Sequence, residues 1–281
     1  MPRSINSFDQ RVMEKTNNYS SLTSAQSAPN LAINDFIASG NVCATQPSDI
    51  VSNGLVLYLD AGIGNSYPQA GTTWFDLTTN RFVGTFVNNA GYSSANGGGI
   101  TFNGVTTSNN GSKVTIPYNA AFNPTQLTFG CWLNRTASVN YSHFFGLPAG
   151  TTWTLPYTSY GIEFIGTTNQ PALVLGWSNN TFDYVFGTAT SELDVGKWVT
   201  IVGTYDGSVG RIYVNGLFQN SLTLNKTLKT SSQPFIIGAE TVTTSEFPLN
   251  GRVGSGYVYN RALSAAEILQ NFNAQRTRFG V

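Results

Sequence analysis

The feature that most constrains this chain is a series of short apolar segments, each closed by turn residues, that runs from residue 51 to the C-terminus. Leu55-Val-Leu-Tyr-Leu59 ends at Asp60-Ala-Gly, and Ile100-Thr-Phe-Asn-Gly is followed by Lys113-Val-Thr-Ile116. Residues 127–133, 160–165 and 172–177 continue the pattern. Residues 197–205 run into Asp206-Gly207, and residues 211–214 into Asn215-Gly216. Both dipeptides favour type I′ hairpin turns, which need positive φ at both central positions. Residues 235–238 and 257–259 close the series. Strands of this length at a spacing of ~8–12 residues predict an all-β, two-sheet antiparallel sandwich.

The last segment departs from the strand pattern. After a Gly-rich turn and the strand Tyr257-Val-Tyr259, Ser264 and Glu267 stand three apart just before Ile268, Leu269 and Phe272. This spacing is a capping box: the Ser oxygen accepts from a free amide at the helix start, and the Glu reaches back to the cap. It predicts a short C-terminal helix.

Composition divides the chain near residue 50. Residues 1–50 hold one Gly and three aromatics among fourteen Ser or Asn, whereas residues 51–281 hold 28 Gly and 33 aromatics. The first region cannot bury enough apolar surface to fold alone. It is therefore read as an extended N-terminal assembly arm, residues 1–50, that orders on a partner through Leu31, Ile33, Phe36 and Ile37. Residues 51–281 form the sandwich.

Charged residues are only 10% of the chain, with 14 basic against 14 acidic, so it has no electrostatic footprint for nucleic acid or an anionic membrane. Residues 1–30 lack the apolar run of a signal peptide, and no segment reaches the ~18 apolar residues of a spanning helix. Cys43 and Cys131 are the only cysteines. A cysteine in a core strand is ordinarily a small buried hydrophobe, so both are expected as free thiols.

Several of these stretches together resemble laminin-G-like domains of the concanavalin A-like superfamily. They are the hairpins of residues 196–207 and 211–216, Phe102-Asn-Gly-Val with residues 114–117, and the closing segment from Asn250. The opening Gly54-Leu-Val-Leu-Tyr-Leu-Asp-Ala-Gly, with Thr73-Trp-Phe-Asp-Leu77, resembles the version seen in bacteriophage structural proteins. The resemblance spans residues 53–281 and implies a jelly-roll sandwich. Related domains usually carry acidic residues where this chain has Gly254-Ser255-Gly256.

Glycan-cleaving enzymes of that superfamily carry Glu-X-Asp-X-X-Glu on one strand, and the pattern is missing here. No strand offers two carboxylates on one face; Glu163 has Gly161 and Ile165 two positions either side. Catalytic residues are therefore expected to be absent. The lone histidine, His143, precludes a zinc site that needs two imidazoles and reads as a structural residue beside Phe144 and Phe145. Asp60 and Asp76 occupy loop positions at which the resemblance implies calcium; turn capping is the favoured role, and no other cofactor is expected. A sugar platform would draw on Trp153, Tyr157, Tyr160, Trp177 and Tyr184 with Asn179 and Asn180, but none of these stands out from the others.

The leading expectation is a non-enzymatic virion protein of a bacteriophage, assembled in the host cytoplasm. It would decorate or cement the capsid, or form part of a tail or fibre, through the arm's contacts with other virion proteins or with copies of itself. The alternative is a carbohydrate-binding, lectin-like adhesion module that engages a host-surface glycan.

Overall fold

The computed structural model describes residues 50–105, 111–138, 141–151, 154–166, 170–243 and 247–281. The predicted anchors Leu31, Ile33, Phe36 and Ile37, together with Cys43 and Trp153, lie outside these residues.

The described chain forms strands β1 (Leu55–Asp60), β2 (Thr73–Phe75), β3 (Val83–Val87), β4 (Gly91–Ser93), β5 (Gly99–Asn103), β6 (Lys113–Ile116), β7 (Leu127–Arg135) and β8 (Ser142–Pro148). It continues with β9 (Thr158–Phe164), β10 (Pro171–Gly176), β11 (Phe182–Phe186), β12 (Trp198–Tyr205), β13 (Val209–Val214), β14 (Leu217–Thr223), β15 (Phe235–Ile237) and β16 (Asn250–Tyr259), and closes with helix α1 (Ala265–Phe279). One sheet has the order β14-β13-β12-β7-β16-β5-β4, with β1 also paired to β16. The other has the order β11-β10-β9-β8-β15-β6-β3-β2. This is the predicted antiparallel jelly-roll sandwich.

Alternation along each strand sends every second side chain into the space between the sheets. On β9 these are Tyr160, Ile162 and Phe164, which join Phe129, Phe144, Phe145 and Phe235 in one buried cluster. Their rings pack edge to face or tilted, for example Phe129 on Tyr160 at 4.8 Å and Phe145 on Phe235 at 4.8 Å. Burying each such side chain contributes ~1.5–3 kcal/mol. Cys131 sits in this core as a free thiol, and burial raises its pKa far above the usual range.

Helix α1 roofs the outer face of the first sheet. Ser264 and Glu267 form the predicted capping box, and Gly280 ends the helix at φ 74°. Phe279 stacks on Trp132 at 4.4 Å and lies over Trp198 at 4.6 Å. Asn271 accepts a hydrogen bond from the Val51 amide at 2.8 Å and donates to the Tyr259 hydroxyl at 3.0 Å, which ties the domain's entry to its last helix.

Three sequence expectations change. The Gly-rich stretch before Tyr257 is strand, not turn: β16 runs unbroken from Asn250, with a register shift between Val253 and Ser255. A Cβ at Gly254 would stand 2.5 Å from the Phe279 ring, and one at Gly256 2.6 Å from Phe145, so close packing accounts for these glycines. Asn215-Gly216 does turn with both φ positive (48° and 76°), but at Asp206-Gly207 only Gly207 does. There the Asp206 carboxylate accepts from the Ser208 and Val209 amides instead and builds the turn from its side chain. Finally, β2, β3, β4, β8, β11 and β14 were not marked by the apolar pattern. β14 is exposed along nearly its whole length, so burial imposes no pattern on it.

Candidate functional site

The outer face of the second sheet lacks a helical roof among the described residues and holds a pocket of about 180 Å³. It is lined by Tyr141, Tyr157, Phe182, Tyr184 and Phe247 around Glu163 and Glu240. Strand register explains the floor. Glu163 on β9 lies opposite His143 on β8, and Val174 on β10 lies opposite Tyr184 on β11. Because Tyr160, Ile162 and Phe164 point into the core, Glu163 points out into the pocket. Glu240 arrives from the loop after β15, which is fastened to β8 by the Gly238 amide donating to the Phe144 carbonyl at 3.1 Å.

Two glycines make room for the histidine. A Cβ on Gly161 would collide with the His143 ring, and one on Gly146 would stand 2.7 Å from its Nε2. The imidazole is 1% exposed, and its Nδ1 has no hydrogen-bond partner. Burial lowers its pKa to about 3, so the ring is neutral at physiological pH. Glu163 is 4% exposed. Burial raises its carboxyl pKa to about 7, opposed by the hydrogen bond from the Tyr184 hydroxyl.

The wall is aromatic and its backbone is strained. Tyr157 packs against Phe182 at 5.6 Å, Phe182 against Tyr184 at 5.2 Å, and Tyr141 against Phe247 at 5.7 Å. Tyr141, Tyr157 and Phe247 all adopt positive φ, at 55°, 67° and 50°. Bulky residues reach this region at a cost of order 1–3 kcal/mol each, and such outliers concentrate at binding sites.

Only part of the anticipated sugar platform converges here. Tyr157 and Tyr184 line the pocket, whereas Tyr160 and Trp177 are buried at 2% and 1% exposure. The Tyr160 hydroxyl donates to the Phe122 carbonyl and the Trp177 Nε1 donates to Asp183, so both serve the core rather than a platform. Asn179 and Asn180 lie in the exposed turn after Trp177, where Asn180 accepts from Lys229. Sequence reasoning missed Glu240, Tyr141, Phe182 and Phe247. It also read His143 as a structural residue and gave no sign that its Nδ1 lacks a hydrogen-bond partner. No strand need carry two carboxylates, since the fold brings Glu163 and Glu240 together from separate segments.

Asp60 and Asp76 are engaged by the chain itself. Asp60 accepts from the Gly62 amide, Tyr58, Gln275 and the Arg278 guanidinium. Asp76 accepts from the amides of Tyr58, Thr78 and Phe82 and from the Thr78 hydroxyl. These oxygens cap turns and anchor a helix, and Arg278 already brings positive charge to Asp60. A larger hollow of about 490 Å³ beside Asp76 and Arg81 uses none of the residues that cluster around Glu163.

The family model for the concanavalin A-like lectin/glucanases superfamily matches residues 106–269, more than half of the chain, and the chain belongs to that superfamily. Among curated proteins, no sequence matches it. The fold is similar to the binding domain of botulinum neurotoxin DC in complex with SialylT, with a TM-score of 0.59 and 13% identity over 80% of this chain and 52% of that one. The same binding domain in complex with rat synaptotagmin II gives 0.58 and 14% over 79% and 52%. Domain 4 of AbnA, a GH43 extracellular arabinanase from Geobacillus stearothermophilus, in complex with arabinotriose, gives 0.55 and 17% over 77% and 97%. The chain spans about half the length of the neurotoxin binding domains that it matches. At these identities the likeness is one of fold.

Proposed function

We propose that the domain is a lectin-like module that binds a neutral carbohydrate in the pocket over Glu163, without cleaving it. The observation that carries this reading is the pocket itself: aromatic rings on two sides and two carboxylates on the floor. Aromatic faces pack on the apolar C–H surface of a sugar ring, and carboxylates accept hydrogen bonds from its hydroxyls. Two acidic groups disfavour a sugar that is itself anionic. Support also comes from the complex with arabinotriose, a neutral sugar, formed by a structure of this fold. The virion reading rests on residues 1–50 and on the opening motif, and the comparisons favour its alternative.

Titration of the intact chain with neutral and sialylated oligosaccharides tests the proposal. Neutral glycans are expected to bind. Tyr184→Ala should weaken binding by roughly 1–3 kcal/mol, as loss of a stacking ring does, and Tyr184→Phe by less. Equal affinity of the native chain and Tyr184→Ala would defeat it.

The meeting of Glu163 with Glu240 supports a second reading, glycan cleavage, because hydrolases use paired carboxyl groups ~5–10 Å apart. Here both carboxylates are buried, at 4% and 5% exposure, on the floor of the pocket, which favours holding a sugar over cleaving it. Release of reducing sugar from a polysaccharide by the native chain, lost in Glu163→Gln, would establish cleavage over simple binding.

A further inference from the structure

Glu163 and Glu240, which line the pocket, meet a third buried group, His143, opposite Glu163 on the paired strand. His143, Glu163 and Glu240 are 1%, 4% and 5% exposed, and one donor atom from each lies within 4.8 Å of the other two. Acidic groups often gather without purpose, but here an imidazole joins them, 1% exposed, with its Nδ1 unpartnered. Other buried side-chain atoms, such as Trp74 Nε1 and Thr204 Oγ1, also lack a partner among the described residues, but the His143 nitrogen is the one that meets two buried carboxylates. The fold also keeps glycine at positions 146 and 161, where any side chain would displace the ring.

We propose that His143, Glu163 and Glu240 hold a divalent transition-metal ion of the zinc or manganese kind. The donor chemistry selects it. Calcium and magnesium prefer all-oxygen cages, whereas a mixed set of imidazole and carboxylates suits first-row transition ions. The charge balances as well, since two carboxylates and a neutral imidazole cancel a dication. That matters because burying an uncompensated charge is costly.

The donors have to close by about 1 Å to reach the ~2.0–2.2 Å of zinc–nitrogen and zinc–oxygen bonds. Rotations of the two flexible glutamate side chains supply that movement. Three protein ligands would leave coordination positions for water or another ligand. The metal site does not depend on the carbohydrate reading, because its three donors are complete without a sugar.

The test uses the full chain stripped with a chelator, then titrated with zinc chloride or manganese chloride alone and followed by calorimetry and thermal unfolding. One ion per chain is expected to bind and to raise the melting temperature, because a ligand held only by the native state stabilises it. Glu163→Gln and Glu240→Gln preserve side-chain shape and should lower affinity by more than the ~10–100-fold that losing a metal ligand's supporting partner costs. Cobalt(II) in the same site should show visible absorption that changes in His143→Asn. Binding weaker than ~1 mM overturns the proposal. So does tight binding that survives in both glutamine variants, which would place the ion elsewhere. Glycan titration of the chelated chain reports on the carbohydrate reading separately.

Discussion

The outer faces of the two sheets bury acidic groups in opposite ways. Over β1 and β16, Asp60 is 1% exposed, paired with Arg278 and bonded to Gln275, beneath a helix that seals the surface. Over β8 and β9, Glu163 is nearly as buried, yet its carboxyl is held up at about 7 and its neighbour His143 has an unpartnered nitrogen. The first face is arranged for stability, since the charge of Asp60 is neutralised and its carboxylate oxygens are filled by donors from the chain. The second keeps an unneutralised acid and an idle donor beneath a pocket, an arrangement expected where something from outside is to be bound.

The sharpest way to break the first half of that contrast is Phe279→Ala. This ring joins α1 to Trp132 and Trp198, and its loss should cost about 3–5 kcal/mol, read as a fall in the denaturation midpoint. A loss under 1 kcal/mol would mean that the helix does not seal the face.

The second half predicts a pH signature in chelated protein. Because the folded-state pKa of Glu163 is raised from 4.5 to about 7, its protonated form stabilises the fold. That stability is fully present below pH 4.5 and is lost as pH rises through 7, to the extent of roughly 3 kcal/mol. His143, lowered to about 3, acts in the opposite sense: its contribution is present above pH 6.5 and is lost as pH falls toward 3. Glu163→Gln should therefore be more stable than the native chain at pH 8 and should expose the histidine's acid-side loss. A native chain whose stability rises steadily from pH 4.5 to 8 by more than the histidine accounts for would contradict this.

Most of the architecture was legible because strands packed between two sheets must be apolar. Residues 127–133 and 197–205 announce themselves for that reason, and the capping box marks α1 to the residue. The site was not legible for an equally physical reason. Glu163 is one acidic residue in a strand whose neighbours two positions away carry no charge, and Glu240 lies 77 residues further along the chain. Only the pairing of β8 with β9 and with β15 brings them together. The glycines at 146 and 161 were a signal that could have been used, since glycine inside a strand often marks a close approach.

A smaller effect belongs to the sealed face. Glu267 is held down at about 2, first by its bond from Arg261 and then by the capping box. Glu267→Ala should cost about 1 kcal/mol, in the range of other helix caps. No change would show that the aromatic contacts alone hold the helix.

The smallest expected effect on stability comes from deleting residues 1–50. The composition of residues 1–50 leads to the expectation of an assembly role apart from the sandwich, so the truncated sandwich should melt at the same temperature and still bind glycan. Any attachment to a particle or to other copies of the chain should be lost. Attachment unchanged by the deletion would end the expectation of an assembly arm.

The most direct test of the central claim is to map a bound neutral oligosaccharide by chemical-shift changes on the labelled domain. Shifts concentrated at Tyr157, Glu163, Phe182 and Tyr184, with α1 unaffected, are the predicted result. Saturable binding that leaves those four residues silent and moves another surface would contradict it.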